Sequence, residues 1–197
     1  MIQAIFRGIS LCVACGAYAT TLLAAPVTYV IDPSHTFPAF EADHWGGRSV
    51  WRGKIEHSSG TVILDREAQS GTVNVSMEMA SINFGHEGMN EHAKSGEILG
   101  VEEFPIATYV GKLANFKNGA PTAVEGTLTM HGVTKPVNLT VNSFKCEPHV
   151  RTKREVCGAD ATATINREEF GVDYDKENGF FMDVKLLITI EAMVAAD

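Results

Sequence analysis

The sequence lacks the short motifs that build most hydrolytic and nucleotide-dependent active sites. It contains no G-x-S-x-G, S-x-x-K, P-loop or G-x-G-x-x-G pattern. It also lacks H-E-x-x-H, because the pair His86-Glu87 is followed by Asn90 where that motif needs a second histidine. No pattern therefore combines a nucleophile, a base and an oxyanion-stabilising group, and the sequence does not predict an enzyme.

Positive charge is also scarce. The 16 Lys and Arg residues are outnumbered by 24 Asp and Glu residues, which gives a formal net charge of −8. Nucleic acids and anionic lipid headgroups attract proteins through clustered Lys and Arg, so this composition predicts no nucleic-acid partner. The small basic group of Arg151, Lys153 and Arg154 is typical of a solvated hairpin tip.

The apolar stretch at the start of the chain is short and diluted. One charge, Arg7, precedes an apolar segment from Gly8 to about Ala19, and small residues follow through Ala25. Glycine, serine and threonine interrupt this segment, whereas a membrane-spanning helix needs ~18 apolar residues. The layout is that of a secretory signal peptide. We predict that residues 1–24 are a cleaved signal peptide and that residues 25–197 form one exported domain.

Cysteine becomes rare once the signal peptide is removed. Of the four cysteines, Cys12 and Cys15 lie within that segment, and Cys146 and Cys157 remain. Two nearby cysteines in an oxidising compartment can close a hairpin, and residues 147–156 between them are polar, as in a turn. We predict a Cys146–Cys157 disulfide. The alternatives are two free thiols or a metal pair, which would need further ligands.

Most of the mature chain alternates apolar and polar residues. Three long stripes of period two lie at 73–79, 137–141 and 184–190 and predict half-buried β-strands. Shorter stripes lie at 28–31, 38–44, 61–65, 106–110, 125–130 and 159–165. Turn residues lie at 58–60, 69–71, 117–121, 131–132 and 178–179. The pattern predicts an all-β fold, an antiparallel barrel or sandwich of about eight strands.

Residues 85–100 break this alternation. Glycines bound the segment and no β-branched cluster occurs in it, so we predict one or two short helices there. His86 and His92 lie in the segment with Glu87 and Glu91 nearby. Six residues advance ~240° around a helix, so the two imidazoles would face different sides and no metal site is predicted.

Four segments share a wider pattern. Residues 124–139, VEGTLTMHGVTKPVNL, carry the run G-V-T-K-P-V after Gly126, Leu128 and Thr129. The other three contribute His44, Gly46 or Gly47, Ser49 and Gly53; then His86, His92, Ser95, Phe104 and Pro105; and finally Arg167, Phe170 and Gly171. In this order the segments resemble the YceI family of bacterial periplasmic proteins, which bind polyisoprenoids or other lipids. The resemblance covers residues 27–192, and the G-V-T-K-P-V run is its most specific part.

The resemblance implies an elongated, lipocalin-like antiparallel β-barrel of about eight strands, with one or two short helices near one end. It implies a protein of the Gram-negative periplasm that binds, carries or stores a long isoprenoid lipid, either a polyprenyl chain or a ubiquinone-type quinone, without a metal or catalytic cofactor. Strand parity then assigns interior positions to Phe40, Val75, Met77, Met79, Leu128, Met130, Leu139, Leu186 and Ile188. The candidates for a mouth that meets a polar headgroup are His44, Trp45, Trp51, Phe84, His86 and His92.

Two other functions stay open on the sequence alone. One is an enzyme of quinone or lipid metabolism that uses His86 and His92. The other is a surface-exposed interaction protein in which the barrel is a scaffold and the hairpin around Arg151 is the contact. Contact with a membrane or with a quinone-dependent enzyme and association into a homodimer are compatible with each of these functions.

Overall fold

The computed structural model describes residues 25–196, and the predicted signal peptide lies outside them. Within this range the chain is built almost entirely from antiparallel strands. The strands are β1 (Val27–Ile31), β2 (Phe37–His44), β3 (Ser49–Ile55), β4 (Ser58–Asp65), β5 (Ser70–Glu78), β6 (Ile82–Asn83), β7 (Ile106–Ala114), β8 (Ala123–Met130), β9 (Val133–Pro136), β10 (Leu139–Pro148), β11 (Glu155–Asn166) and β12 (Asp183–Val194). One α-helix, α1 (Glu87–Lys94), and short 3-10 turns at Met79–Ser81, Arg167–Phe170 and Lys176–Asn178 complete the described elements.

Eight of the strands close into a ring. Their order is β1-β4-β5-β7-β8-β10-β11-β12, and β12 pairs back to β1. Tyr29 of β1 lies opposite Val62 of β4 on one side and opposite Val194 of β12 on the other. The all-β fold that the strand pattern predicts and the closed antiparallel barrel that the family resemblance implies are therefore confirmed.

The remaining sheet lengthens one end of the barrel. The edge of β12 that pairs with β1 also pairs with β2, from Val184 to Thr189, and β2 continues to β3 and then to β6. Between β1 and β2 the hydroxyl of Thr36 donates to the carbonyl of Glu191 and accepts from its N–H, both at 3.2 Å. Thr36 thereby replaces a missing pair in the ladder, and the two short strands act as one long interrupted strand.

The helical segment lies at this lengthened end. Helix α1 spans eight residues of the predicted segment. His86 is its N-cap, and the imidazole Nδ1 accepts the N–H of Met89 at 3.3 Å. Ala93 faces inward and packs in a cluster with Ile82 and Leu99, so the helix covers this end of the barrel. Throughout residues 25–196, every helix is too short or too polar to cross a membrane.

One local prediction from the sequence is wrong, and two others have different bounds in the structure. Residues 58–60 begin β4 instead of forming a turn, because Gly60 (φ +149°) lets the two backbones approach: a Cβ there would lie 2.0 Å from the carbonyl oxygen of Asn74. The strand predicted at 137–141 begins two residues later, since β9 ends at Pro136 and β10 begins at Leu139. The turn predicted at 147–156 shortens to 149–154, because both hairpin strands extend beyond the cysteines.

Strand β3 was not predicted as a strand. Its inward position Gly53 interrupts the apolar stripe, and the reason is the ring of Phe40 on β2. A Cβ at Gly53 would lie 2.5 Å from the Phe40 Cζ. Gly53 therefore makes room for the Phe40 ring of the neighbouring strand. Because glycine has no apolar side chain, the alternation of apolar and polar residues along β3 cannot be recognised in the sequence.

Candidate functional site

The barrel encloses an apolar cavity of about 330 Å³. The inward-facing side chains of the ring strands form its wall, together with residues of β2, β3, α1 and the segment after α1. Small ligand sites fall in the range of roughly 300–1,000 Å³. Among the described residues that line the cavity, Arg167 is the one with a charged side chain, so the chamber favours a hydrocarbon over a polar ligand.

The cavity is long rather than round. Strand β12 contributes Val184, Leu186, Ile188, Ile190 and Ala192 to its wall. From the first to the last of these residues the strand advances ~27 Å at ~3.4 Å per residue. With a strand tilt of ~40° the corresponding length along the barrel axis is ~20 Å, which suits an extended hydrocarbon chain.

A polar group closes the end of the barrel away from α1. Tyr29 is 1% exposed and lines the cavity, and its hydroxyl donates to the carboxylate of Glu155. Arg66 donates to the same carboxylate oxygen at 2.9 Å. Partial burial opposes ionisation of Glu155, but the bonds from Tyr29 and Arg66 outweigh it and lower the pKa of this carboxyl. Tyr29, Glu155 and Arg66 therefore close the end of the cavity away from α1, and their polar atoms are hydrogen-bonded to one another.

The predicted disulfide lies beside this polar group and is confirmed. Cys146 and Cys157 form a directly opposite pair of β10 and β11, with a Cα–Cα distance of 4.0 Å. The Cys157 side of the bridge faces the cavity wall, and Arg66 Nη2 lies 3.7 Å from its sulfur. Cys146, Glu155 and Cys157 bring three potential ligand atoms together, but the two sulfurs are bonded to each other and offer no thiolate.

Rings form a continuous chain at the helical end. Phe40 lies 5.3 Å from Phe84 between ring centroids, and Phe84 lies 6.3 Å from Trp51. Trp51 in turn lies 5.2 Å from His44. Phe40 and Phe84 line the cavity, whereas Trp51 and His44 lie outside its wall. The chain therefore leads from the interior towards the surface.

The single charged wall residue, Arg167, also lies at the helical end. Its Nη1 donates to the carbonyl of Val172 at 2.9 Å, and its Nη2 donates to the carbonyl of Tyr174 at 2.8 Å. Burial lowers the pKa of Arg167, while the carboxylates of Asp173 and Asp175 act in the opposite direction. The guanidinium thereby holds the segment 172–174 against the cavity and is the charged group among the described residues that line it.

A tyrosine hydroxyl is also buried in the wall. Tyr109 is 7% exposed, and its hydroxyl donates to the carbonyl of Val137 at 2.9 Å. Burial raises the pKa of Tyr109 to about 12, so the group stays a neutral donor. Its ring lies over Gly126, where a Cβ would be 2.5 Å from the tyrosine oxygen and 2.7 Å from the carbonyl oxygen of Val110.

This close approach predicts the effect of Gly126→Ala. The added methyl group would have to displace the Tyr109 ring and a backbone carbonyl of β7, so we expect a loss of about 1–3 kcal/mol in the free energy of unfolding. Denaturant unfolding measures it. Gly96→Ala is the matched control, because a Cβ at Gly96 meets no atom within 4 Å. Equal unfolding midpoints for the two variants would contradict the proposed contact.

The structure divides the fifteen predicted site residues into two groups. Ten of them line the cavity: Phe40, Val75, Met77, Met79, Phe84, Leu128, Met130, Leu139, Leu186 and Ile188. The other five lie outside its wall: His44, Trp45, Trp51, His86 and His92. His86 caps α1, and His92 Nε2 lies 3.1 Å from Glu97 Oε2 while its ring packs against Tyr174. Within residues 25–196, neither histidine belongs to a group of three potential metal ligands.

Sequence reasoning missed several wall residues that had a readable signal. Tyr109 follows Ala107 in the period-two stripe of β7, and both line the cavity. Met89 and Ala93 are spaced by four residues on α1, which places them on one face of the helix. Arg167 stands in the segment that carried part of the family resemblance, but nothing in the sequence indicated that its charge faces an apolar cavity.

The match to a known family agrees with this architecture. The model of the YceI-like domain matches residues 29–194, which include the described barrel from Tyr29 to Val194. The chain belongs to the YceI-like family. Among curated relatives of this family, the protein YceI of Salmonella arizonae is 30% identical over 178 residues, covering 88% of this chain and 91% of that protein. A UPF0312 protein of Pseudomonas syringae pv. tomato is 30% identical over 165 residues, covering 79% and 84%.

Solved structures show the same YceI-like fold. BcnA of Burkholderia cenocepacia superposes with a TM-score of 0.64 at 18% identity, covering 82% of this chain and 99% of that one. A polyisoprenoid binding domain from Saccharophagus degradans, described as implicated in plant cell wall breakdown, superposes with a TM-score of 0.60 at 13% identity, covering 86% and 99%.

Proposed function

We propose that this YceI-like protein binds a long isoprenoid lipid in its barrel and carries or stores it in the periplasm. The observation that carries the proposal is the long cavity, whose wall is apolar except for Arg167 and two tyrosine hydroxyls that already have partners. The polyisoprenoid binding domain of Saccharophagus degradans, which shares the fold, supports the choice of ligand class.

The energetics favour a tail held without a charged anchor. Each buried CH₂ group contributes ~0.8 kcal/mol of transfer free energy, so a tail of several isoprene units is retained by burial alone. Met77, Met79 and Met130 line the cavity, and their unbranched thioether side chains adapt to the methyl branches of an isoprenoid. Arg167 at the helical end offers N–H donors to a headgroup, such as the carbonyl oxygens of a quinone.

Two features support an exported location. Residues 1–24 have the layout of a signal peptide, and the Cys146–Cys157 disulfide is of a kind that persists in oxidising compartments. A lipid carrier in the periplasm also gains from the excess of carboxylates on this chain, because net charge keeps a protein soluble.

Lipid extraction from the purified protein tests the proposal. The full chain is expressed with its leader in a Gram-negative host that makes quinones, purified without detergent, and extracted with organic solvent. We expect mass spectrometry of the extract to show a prenyl lipid in a near-stoichiometric amount, and its mass to distinguish a quinone from a polyprenyl chain. An extract without prenyl lipid, or one with straight-chain fatty acids alone, would refute the isoprenoid ligand.

A further inference from the structure

Two large aromatic side chains are exposed at the helical end of the barrel. Trp45, in the turn between β2 and β3, is 49% exposed, and Phe181, just before β12, is 58% exposed. Trp45 lies 5.9 Å from Phe180 between ring centroids, and Phe181 lies 3.5 Å from the position of a Cβ on Gly47. We call Trp45, Phe180 and Phe181 the aromatic tip.

One carboxylate fixes the two segments of the aromatic tip to each other. Asp43 accepts the N–H groups of Gly46 at 2.8 Å, Gly47 at 2.6 Å and Phe181 at 2.9 Å. These backbone bonds outweigh the partial burial of the carboxyl and lower the pKa of Asp43. The Asp43 carboxylate thus joins the turn between β2 and β3 to the segment before β12, and it holds the two segments of the aromatic tip together.

The backbone of the turn holds Trp45 in an unfavourable conformation. Its φ of +58° is uncommon for a bulky residue. Conformations of this kind concentrate at functional sites. About half of the Trp45 side chain stays exposed in this conformation although one face packs against Phe180, so the turn presents an indole surface to the outside.

The aromatic tip is continuous with the wall of the cavity. Phe180 lies 5.6 Å from His44 between ring centroids, and His44 begins the chain of rings through Trp51 to Phe84. A path of ring contacts therefore runs from the exposed Trp45 to the lining of the cavity, at the end opposite the polar group of Tyr29, Glu155 and Arg66.

The charges around the aromatic tip indicate what kind of surface it fits. The guanidinium of Arg48 lies 5.0 Å from the Trp45 ring centroid, and a tryptophan with a neighbouring arginine is a combination that membrane–water interfaces favour. Asp173, Glu177 and Asp183 are exposed in the adjoining segment. These carboxylates repel an anionic lipid surface, so a zwitterionic surface is the better fit.

We propose that the protein docks with its aromatic tip on a zwitterionic lipid bilayer, and that the isoprenoid enters and leaves the barrel along the adjoining chain of rings. The second clause rests on the proposed function, whereas docking does not require a bound lipid. Trp45 and Phe181 insert at the level of the headgroups, and Arg48 stays at the aqueous side.

Tryptophan fluorescence tests docking without relying on the cavity. The chain has two tryptophans, so Trp51→Phe leaves Trp45 as the sole reporter and keeps an aromatic ring at position 51. On addition of phosphatidylcholine vesicles we expect a blue shift of the Trp45 emission and quenching by brominated acyl chains, both weaker with vesicles rich in phosphatidylglycerol. Unchanged emission at vesicle excess would overturn the proposal. A blue shift that increases with protein concentration in the absence of vesicles would also overturn the proposal. It would show that the aromatic tip contacts a second copy of the chain.

A pair of variants separates docking from lipid binding. In Trp45→Asn/Phe181→Ser the asparagine suits the positive φ, and we expect partition onto phosphatidylcholine vesicles and the rate of lipid transfer between vesicles each to fall roughly tenfold. Val150→Ser is the matched control, because Val150 is 79% exposed at the opposite end of the barrel. This substitution should change neither the partition onto vesicles nor the rate of lipid transfer. Equal partition of both variants and the wild type onto the vesicles would refute docking through the aromatic tip. An extract without prenyl lipid from a wild type that still docks would refute only the proposed function.

Discussion

Replacing Ala161 with tryptophan is expected to abolish binding of long-tailed isoprenoids while short-tailed ones still bind. Ala161 is 4% exposed and lies on β11 between Val141 and Ile188 of the neighbouring strands. All three residues line the cavity, and Ile188 is the middle one of the five inward residues of β12. An indole at this position divides the chamber at half its length. If it excludes ten carbon atoms of a tail, about 8 kcal/mol of burial is lost at ~0.8 kcal/mol per CH₂.

A series of prenyl ligands of increasing tail length measures this effect. We expect the affinity of the wild type to rise with each added unit, and that of Ala161→Trp to stop rising once the tail reaches the indole, so that the longest tails differ by more than about a thousandfold. Thr164→Trp is the matched control, because Thr164 is exposed on the outer face of the same strand. A folded Ala161→Trp variant that binds the longest tail as the wild type does would exclude the chamber as the binding site.

Removing the disulfide is expected to give the largest loss of stability. The bridge joins directly opposite residues, Cys146 and Cys157, at a sequence separation of 11. The chain-entropy model assigns about 3 kcal/mol to a loop of this size. For a domain of this length, that corresponds to a fall in Tm of about 6–12 °C.

The double variant Cys146→Ser/Cys157→Ser, followed by differential scanning calorimetry, measures the loss. Reduction of the wild type with dithiothreitol should lower its Tm to the same value and leave that of the double variant unchanged. Reduction that lowers both equally would show that the fall has another source. A double variant within about 2 °C of the oxidised wild type would contradict the stabilising role.

Strand periodicity predicted the parts of the barrel in which every inward position carries an apolar side chain. The stripes at 73–79 on β5 and 184–190 on β12 contain no glycine at an inward position, so parity alone assigned their faces correctly. Gly53 and Gly60 carry no side chain because atoms of a neighbouring strand occupy the space that a Cβ would need. A single sequence does not show that neighbour, and the pattern there was misinterpreted or missed.

The limits of the cavity were harder to predict for a similar reason. His86 and His92 were chosen because they are polar residues in a helical segment, but a cap and a ring contact with Tyr174 account for their positions. Arg167 faces the cavity because its guanidinium bonds to the carbonyls of Val172 and Tyr174. Such contacts between distant or irregular segments have no period, so only the folded chain reveals them.

The small side chains at the middle of the barrel have a thermodynamic consequence. Where Leu or Phe would fill the space, Ala159 and Ala161 leave it open. An unfilled apolar cavity costs about 24 cal/mol per Å³, so a void of about 330 Å³ forgoes about 8 kcal/mol of packing, as much as the whole free energy of unfolding of many domains. A ligand that fills it stabilises the native state by mass action. Under the proposed function, the lipid-filled barrel is therefore the more stable form, and we expect the empty barrel to unfold and be proteolysed more readily.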